Sequence, residues 1–193
     1  MESYMNEVIK AIKERRAVRS YQDKPVPKEI IETLIDAANN APSGMNSQPW
    51  RFVVVTDTEF HKKLVETAAP NSLQIVEMVK DTKPTNYQRM KKRYTELKDP
   101  VYYSAPVIIF VIGIGIYADM SCPLACQNIM LAAKSLGLGS CWVQFGSLVM
   151  DNEEIKKKLQ LKNDEKIFGP ILVGYPQEIP QPPVKKNPQI IWI

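Results

Sequence analysis

Residues 41–50 read Ala41-Pro42-Ser43-Gly44-Met45-Asn46-Ser47-Gln48-Pro49-Trp50, and they run straight into the apolar strand pattern Phe52-Val53-Val54-Val55. A loop that only reversed the chain would need a Gly or a Pro. This one also presents Ser43, Asn46, Ser47 and Gln48, uncharged side chains that both donate and accept hydrogen bonds. Such an inventory suits a flat heterocycle with alternating carbonyls and ring nitrogens. A second segment, Arg15-Arg16-Ala17-Val18-Arg19-Ser20-Tyr21, supplies cations and hydroxyls suited to a phosphate.

The 193 residues fit a single domain spanning 1–193. A chain of this length buries about 70% of the surface it exposes when unfolded, so it needs no staples. Apolar residues make up 45% and charged residues 24%, ordinary values for a globular protein. The net charge of +4 is mild, and no nucleic-acid partner is expected. Cys122, Cys126 and Cys141 are an odd number with no C-x-x-C pair, which points to a reducing, cytoplasmic setting. Met1-Glu2-Ser3-Tyr4 has no basic region leading into an apolar one, so no signal peptide is expected. Val101 to Ala118 carries no charge and approaches the length of a membrane span. It also contains Ser104, Pro106, Gly113, Gly115 and three tyrosines, and its core Val107–Ile112 is mostly β-branched. A buried central strand with a glycine-loosened exit is the better reading, and no membrane partner is expected.

Periodicity places a first helix over Tyr4–Glu14, with Val8 and Ile12 on one face beside Met5 and Ile9. Arg15 and Arg16 follow it, where cations also favour a helix C-terminus. A second helix starts near Pro27, taken as its first residue, and carries Ile30, Ile31, Leu34, Ile35 and Ala38 to Asn39-Asn40. Thr56 with Glu59 reads as a capping box for a third helix that turns Phe60, Leu64 and Ala68 inward. Residues 71–100 are the least regular, with Pro70, Pro84 and Pro100 nearby and the basic run Tyr87–Tyr94. One or two helical pieces forming a lid or an interface are expected there. A long helix follows over Ser121–Leu136, with Pro123 in its first turn and Gly137 and Gly139 stopping it. Ser140–Phe145 reads as a strand, Asp151 with Glu154 opens a short helix, and Ile167–Val173 is a last core strand. The arm 176–193 is proline-rich and ends in Ile190-Ile191-Trp192-Ile193, an apolar tip that must bury on this chain or a neighbour.

Four segments together resemble the nitroreductase superfamily of FMN-dependent NAD(P)H oxidoreductases, and the resemblance covers nearly the whole chain. They are Glu14–Tyr21, Pro42–Trp50, Gly137-Leu138-Gly139-Ser140-Cys141-Trp142, and Pro182-Pro183-Val184-Lys185-Lys186. The resemblance implies an α+β fold with a central, mostly antiparallel sheet flanked by helices. It also implies an intertwined homodimer with two FMN sites at the subunit interface, each C-terminal arm reaching over the partner. Carried over residue by residue, it assigns the FMN phosphate to Arg15 and Lys186, with Arg16 and Lys185 nearby. Ala17 shares that segment, and Arg19 falls at the N1/C2 carbonyl edge, where a cation stabilises reduced flavin. Pro42, Ser43, Gly44 and Asn46 line the ring and ribityl chain from the other subunit, with Gln48 as a further contact. Trp142, Val143, Gln144 and Phe145 run past the ring on the N5 side. An amide from Asn71 or Gln74 reaches the N3/C4 edge. The family usually has Gly or Glu at the position of Gln144 and often Arg at Lys186, so the N5 surroundings and the phosphate grip differ here.

The implied reaction is ping-pong hydride transfer from NADH or NADPH to FMN, and on to a small-molecule acceptor such as a nitroaromatic, a quinone or a free flavin. No side chain is then expected to be catalytic, because the chemistry belongs to FMN N5. Reductive dehalogenation or flavin fragmentation is the alternative within the fold, with Tyr87, Arg89, Lys91 and Tyr94 as lid residues. A flavin storage or redox-sensing protein is the non-enzyme alternative. Other chemistries find little support. His61 is the one histidine and is expected on an exposed helix face, a poor basis for a Ser-His or Cys-His mechanism. Cys122 and Cys126 lie one turn apart without a third ligand, so all three cysteines read as core packing and no metal is expected. Gly113-x-Gly115 lacks the third glycine and the acidic residue of a dinucleotide fingerprint.

Overall fold

The computed structural model describes residues 5–193, so the expected helix start at Tyr4 and the residues before it lie outside the described part. The sheet is built around β2 (Val107–Ile114), the predicted buried strand. On one side β2 pairs with β1 (Trp50–Val55), on the other with β4 (Glu165–Gly174), and β3 (Gly139–Trp142) closes the far edge against β4. The order is β1-β2-β4-β3 and every neighbouring pair is antiparallel, as expected.

The two faces of β2 explain its unbroken apolar run. Val107, Ile109 and Val111 point into one core with Leu34 and Ala38 of α2 (Lys28–Asn39) and Cys122, Cys126 and Ile129 of α5 (Ala118–Ser135). Ile108, Phe110 and Ile112 alternate into a second core with Leu64 and Ala68 of α3 (Thr58–Met78) and Ile155 of α6 (Glu153–Lys158). A strand covered on both sides has no need of polar residues at alternate positions. The three cysteines are buried, as packing residues should be.

Several boundaries differ from the sequence reading. Pro27 stands just outside α2 as its N-cap. Asp57, not Thr56, caps α3, its side chain accepting from Phe60 N at 2.7 Å. Asn152, not Asp151, caps α6. Helix α5 begins three residues before Ser121, so Pro123 lies in its second turn. Beyond its end, Gly137 adopts a left-handed φ of 75°, open to glycine without strain. Helix α3 runs through Pro70 to Met78, and α4 (Pro84–Glu96) follows, so most of 71–100 is helical. Strand β3 stops at Trp142, and Gln144–Ser147 forms a 3-10 turn. In α1 (Glu7–Glu14) only Ala11 is buried, while Val8, Ile9 and Ile12, and Met5 just before the helix, face solvent.

Candidate functional site

Two of the predicted segments meet at the C-terminal end of α5. Arg15 caps α1, its N–H donating to Ala11 O. The chain then lies along β3, where Ala17 pairs with Ser140 and Val18 N donates to Ser140 O at 3.0 Å. Arg15 and Arg16 line a small cavity of about 80 Å³ with Lys134, Gly137, Gly139 and Ser140. Gly139 is required there, since an added Cβ would sit 2.8 Å from Val18 Cβ. Ser140 Oγ is buried and has no hydrogen-bond partner among the described residues. The Glu14 carboxylate also lines the cavity and pairs with Lys134 at 3.2 Å, so the groups left for an oxyanion such as a phosphate are the two guanidiniums and the Ser140 hydroxyl.

The expected ring-side residues belong to the same region. Cys141, inside β3, feels Arg19, Arg15 and Arg93 together; burial pushes its thiol up and the three guanidiniums oppose that. Trp142 Nε1 donates to Gln144 Oε1 at 3.2 Å, and Gln144 Nε2 donates to Ser147 Oγ at 3.3 Å. Val143 N donates to Pro170 O, the last bond before the 3-10 turn that carries Gln144 and Phe145. Asn71 Nδ2 donates to Leu148 O at 2.9 Å, which ties α3 to that turn; Gln74, one turn on, is exposed. The arm leaves from here too, Gln177 N donating to Ser20 O and Ile179 lining the small cavity. Lys185 and Lys186 lie further along the arm, exposed to solvent.

The loop lies at the other end of α5. Gly44 packs on Tyr117, where a Cβ would come within 2.5 Å of Cδ1, and Gly44 N donates to Ser121 Oγ at 3.4 Å. Ser43 Oγ accepts from Gln48 N at 3.0 Å, and Gln48 Nε2 donates to Asn46 Oδ1 at 3.2 Å. Met45, Asn46 and Gln48 hold φ values of 53°, 53° and 44°, left-handed conformations that cost energy in non-glycine residues. Met45 is 86% exposed, Asn46 and Gln48 are exposed, and Pro42 is at the surface. The 18 residues of α5 put the loop about 27 Å from Arg15 and Arg16, at 1.5 Å rise per residue. Within one chain, then, Arg15, Arg16, Ala17, Arg19 and Trp142–Phe145 come together, and Pro42, Ser43, Gly44, Asn46 and Gln48 do not join them. A larger open cavity of about 440 Å³ runs beside the loop, between Gln48–Arg51 and Ile112–Tyr117, floored by the Arg51–Glu165 pair.

Three features escaped the sequence reading. His61 is not exposed: its side chain is 20% accessible and Nε2 donates to Asp99 Oδ2 at 2.8 Å. The same carboxylate accepts from Val101 N, Tyr102 N and Ser104 N. Of the proposed lid residues, Tyr87 and Lys91 both bond Glu77, and Tyr94 Oη donates to Ser72 Oγ at 2.6 Å. They clasp α4 to α3, and the i, i+4, i+7 spacing of 87, 91 and 94 is the signal that could have shown it. Arg93 instead turns to Tyr103, Nη1 donating to its Oη at 3.0 Å, while Arg19 sits over the same ring, 5.8 Å from its centroid.

Comparison with known proteins identifies the family and the fold. The nitroreductase family model matches residues 12–175. A protein from Methanothermobacter thermautotrophicus that carries NADH dehydrogenase/NAD(P)H nitroreductase in its name is 34% identical over 180 residues, 90% of this chain and 80% of its own. An iodotyrosine deiodinase from Thermotoga neapolitana is 29% identical over 187 residues, 93% of each chain. Among solved structures, a nitroreductase with bound FMN from Desulfitobacterium hafniense superposes with a TM-score of 0.82 at 28% identity, over 98% of this chain and 99% of the other.

Proposed function

This chain belongs to the nitroreductase family, and on that premise we propose that it is an FMN-dependent oxidoreductase that works as a homodimer, taking hydride from NADH or NADPH and reducing a small acceptor such as a nitroaromatic, a quinone or a free flavin. The observation that carries the reading is the cavity lined by Arg15, Arg16 and Ser140, whose Oγ has no hydrogen-bond partner among the described residues. A buried hydroxyl without a partner costs about 1–3 kcal/mol, which a phosphate oxygen accepting from it would offset. FMN, when bound, accepts a hydride and passes reducing equivalents to a second substrate.

The residues of the chain have separate tasks. Arg15 and Arg16 hold the dianionic end, joined by Lys185 and Lys186 as the arm folds over it. Arg19 offers a fixed cation to the carbonyl edge that becomes negative on reduction. Trp142, Val143, Gln144 and Phe145 flank the ring and limit the access of water. Pro42, Ser43, Gly44, Asn46 and Gln48 come from the second subunit, because in their own chain they lie an α5 length away. The exposed apolar residues of α1, together with Met120 and Leu124 on the outer face of α5, are the surface for that subunit. The arm's apolar tip, Ile190–Ile193, is exposed in one chain and finds its cover there as well.

A second reading has a specific observation behind it: the deiodinase from Thermotoga neapolitana matches over nearly its full length. The same half-sites and the same flavin then serve reductive removal of a halide from an aromatic ring. One experiment separates the outcomes. The purified protein, loaded with FMN, is mixed anaerobically with NADH and with NADPH, then with nitrofurazone, menadione, riboflavin and iodotyrosine. Bleaching by a nicotinamide and reoxidation by the first three supports the proposal. Reduction by dithionite alone with turnover of iodotyrosine supports dehalogenation. A colourless protein that ignores added FMN in calorimetry refutes both.

A further inference from the structure

Arg93 has no task in the reaction outlined above, and its surroundings suggest one. It is carried by α4, whose Tyr87, Lys91 and Tyr94 clasp α3. Its guanidinium reaches across to Tyr103 and leaves four of its five N–H donors uncommitted to that phenol. Tyr103 is held in place from below. Its φ is 55° and that of Ser104 is 52°, and Asp99 fixes this left-handed turn by accepting from Tyr102 N at 2.7 Å and Ser104 N at 2.8 Å. Left-handed non-glycine residues persist only where their surroundings over-determine them, and they gather at functional sites.

Arg19 covers the face of the same phenol, so Tyr103 is bordered by two guanidiniums. Arg15 belongs to the same field, since Arg19, Arg15 and Arg93 all bear on the Cys141 thiol. Among the described residues, no carboxylate is within ion-pair range of Arg15, Arg19 or Arg93. Like charges gathered without acidic partners repel one another, and an incoming anion relieves that. The proposed cofactor accounts for two of them, its phosphate for Arg15 and its ring edge for Arg19. Arg93 is the cation left over. It lies one phenol ring away from Arg19, at the ring end of the site rather than the phosphate end. The phosphates of a nicotinamide dinucleotide are separated from its reacting ring by a ribose. On this reading an anionic group facing Arg93 would come from the acceptor.

We propose that Arg93, braced by Tyr103, binds the carboxylate of an aromatic electron acceptor and makes the enzyme selective for acidic acceptors over neutral ones. The inference rests on the FMN-dependent reading above. A guanidinium fork matches a carboxylate in two parallel bonds, and Lys would not reproduce it.

The test uses the full-length, FMN-loaded protein and a matched pair of acceptors, 4-nitrobenzoate and 4-nitrobenzamide. Benzoate binding, followed by perturbation of the flavin absorbance, serves as a readout independent of turnover. The wild type is expected to favour the acid. Arg93→Gln should lower kcat/KM for the acid about tenfold or more, the scale of a charge-assisted bond, change the amide less than twofold, weaken benzoate by a similar factor and leave FMN affinity intact. Arg93→Lys should fall between, and Tyr103→Phe should weaken the acid without altering the amide. Equal losses for acid and amide, a wild type that does not discriminate, or an effect confined to the KM of NADH or NADPH would each overturn the assignment. A protein that takes up no FMN overturns the functional reading and this inference together, whereas a yellow, active Arg93→Gln that binds benzoate like the wild type overturns this inference alone.

Discussion

Replacing Asp99 by Ala removes one acceptor from four donors. Val101 N lies 3.2 Å and Tyr102 N 2.7 Å from Oδ1; Ser104 N and His61 Nε2 each lie 2.8 Å from Oδ2. The carboxylate is 7% exposed, so water does not readily take its place. Hydrogen bonds to a charged group are worth about 1.5–3 kcal/mol each, but the four are not additive. Leaving a buried donor without its acceptor costs about 1–3 kcal/mol, and because Asp99→Ala strips several donors at once we expect a loss of about 3–5 kcal/mol. The measurement is urea unfolding at pH 7, followed by far-UV circular dichroism. The pH dependence has a definite sign. Burial raises the carboxyl pKa, but the His61, Ser104 and Tyr102 bonds outweigh it, and the net result is a value below the usual one. A depressed folded pKa contributes stability that is complete above the unfolded value of about 3.9 and disappears as pH falls through the folded value. The gap between wild type and Asp99→Ala should therefore narrow once the pH drops below about 4. A loss under 1 kcal/mol at pH 7, or a gap that widens on acidification, would refute the account.

Gly44→Ala should disturb the loop, because the new Cβ would press on Tyr117 at 2.5 Å. A stability loss of about 1–3 kcal/mol in urea unfolding and weaker FMN in a fluorescence titration are expected, and an unchanged protein on both counts contradicts the placement. Lys186→Ala should weaken FMN more than riboflavin, since only FMN carries the phosphate; equal losses in paired titrations would remove Lys186 from the phosphate site. Leu124→Glu puts a charge on the exposed apolar face of α5. Sedimentation should show monomers that have also lost FMN, and a yellow monomer would sink the shared-site proposal.

How much of this was legible in the sequence depended on the range of the interaction. The β2 run was readable because an apolar stretch of strand length is its own signal, and Gly137 marked the end of α5 because a left-handed φ suits it. The caps slipped by one residue because Asp57 and Asn152 can serve as well as Thr56 and Asp151, and packing of the helix decides the frame. Ser140–Phe145 looked like one strand, but the chain leaves the ladder after Val143 N reaches Pro170 O, a partner distant in sequence. His61 was misjudged for the same reason: Asp99 is 38 positions away. The clasp residues of α4 shared the helical spacing of a lid, and only their partners on α3 showed which face they occupy.

The division of the candidate site follows from the fold in a way that no local pattern displays. In α5 the sequence provides one 18-residue helix packed against the sheet. The loop is anchored at its first turn by Tyr117 and Ser121, the basic segment beyond its last turn by Gly137–Ser140. A rod of this length cannot bring its own two ends to one flavin. Two copies related by a two-fold axis can, because such an axis sets the beginning of one rod against the end of the other and makes two equivalent sites at once. The proposed pairing would also cover the strained, exposed Met45–Gln48 turn, the unburied stripe of α1 and the apolar tip of the arm. In the proposed dimer each of these surfaces would find its contact on the second copy, so cofactor retention and dimerisation should be lost together.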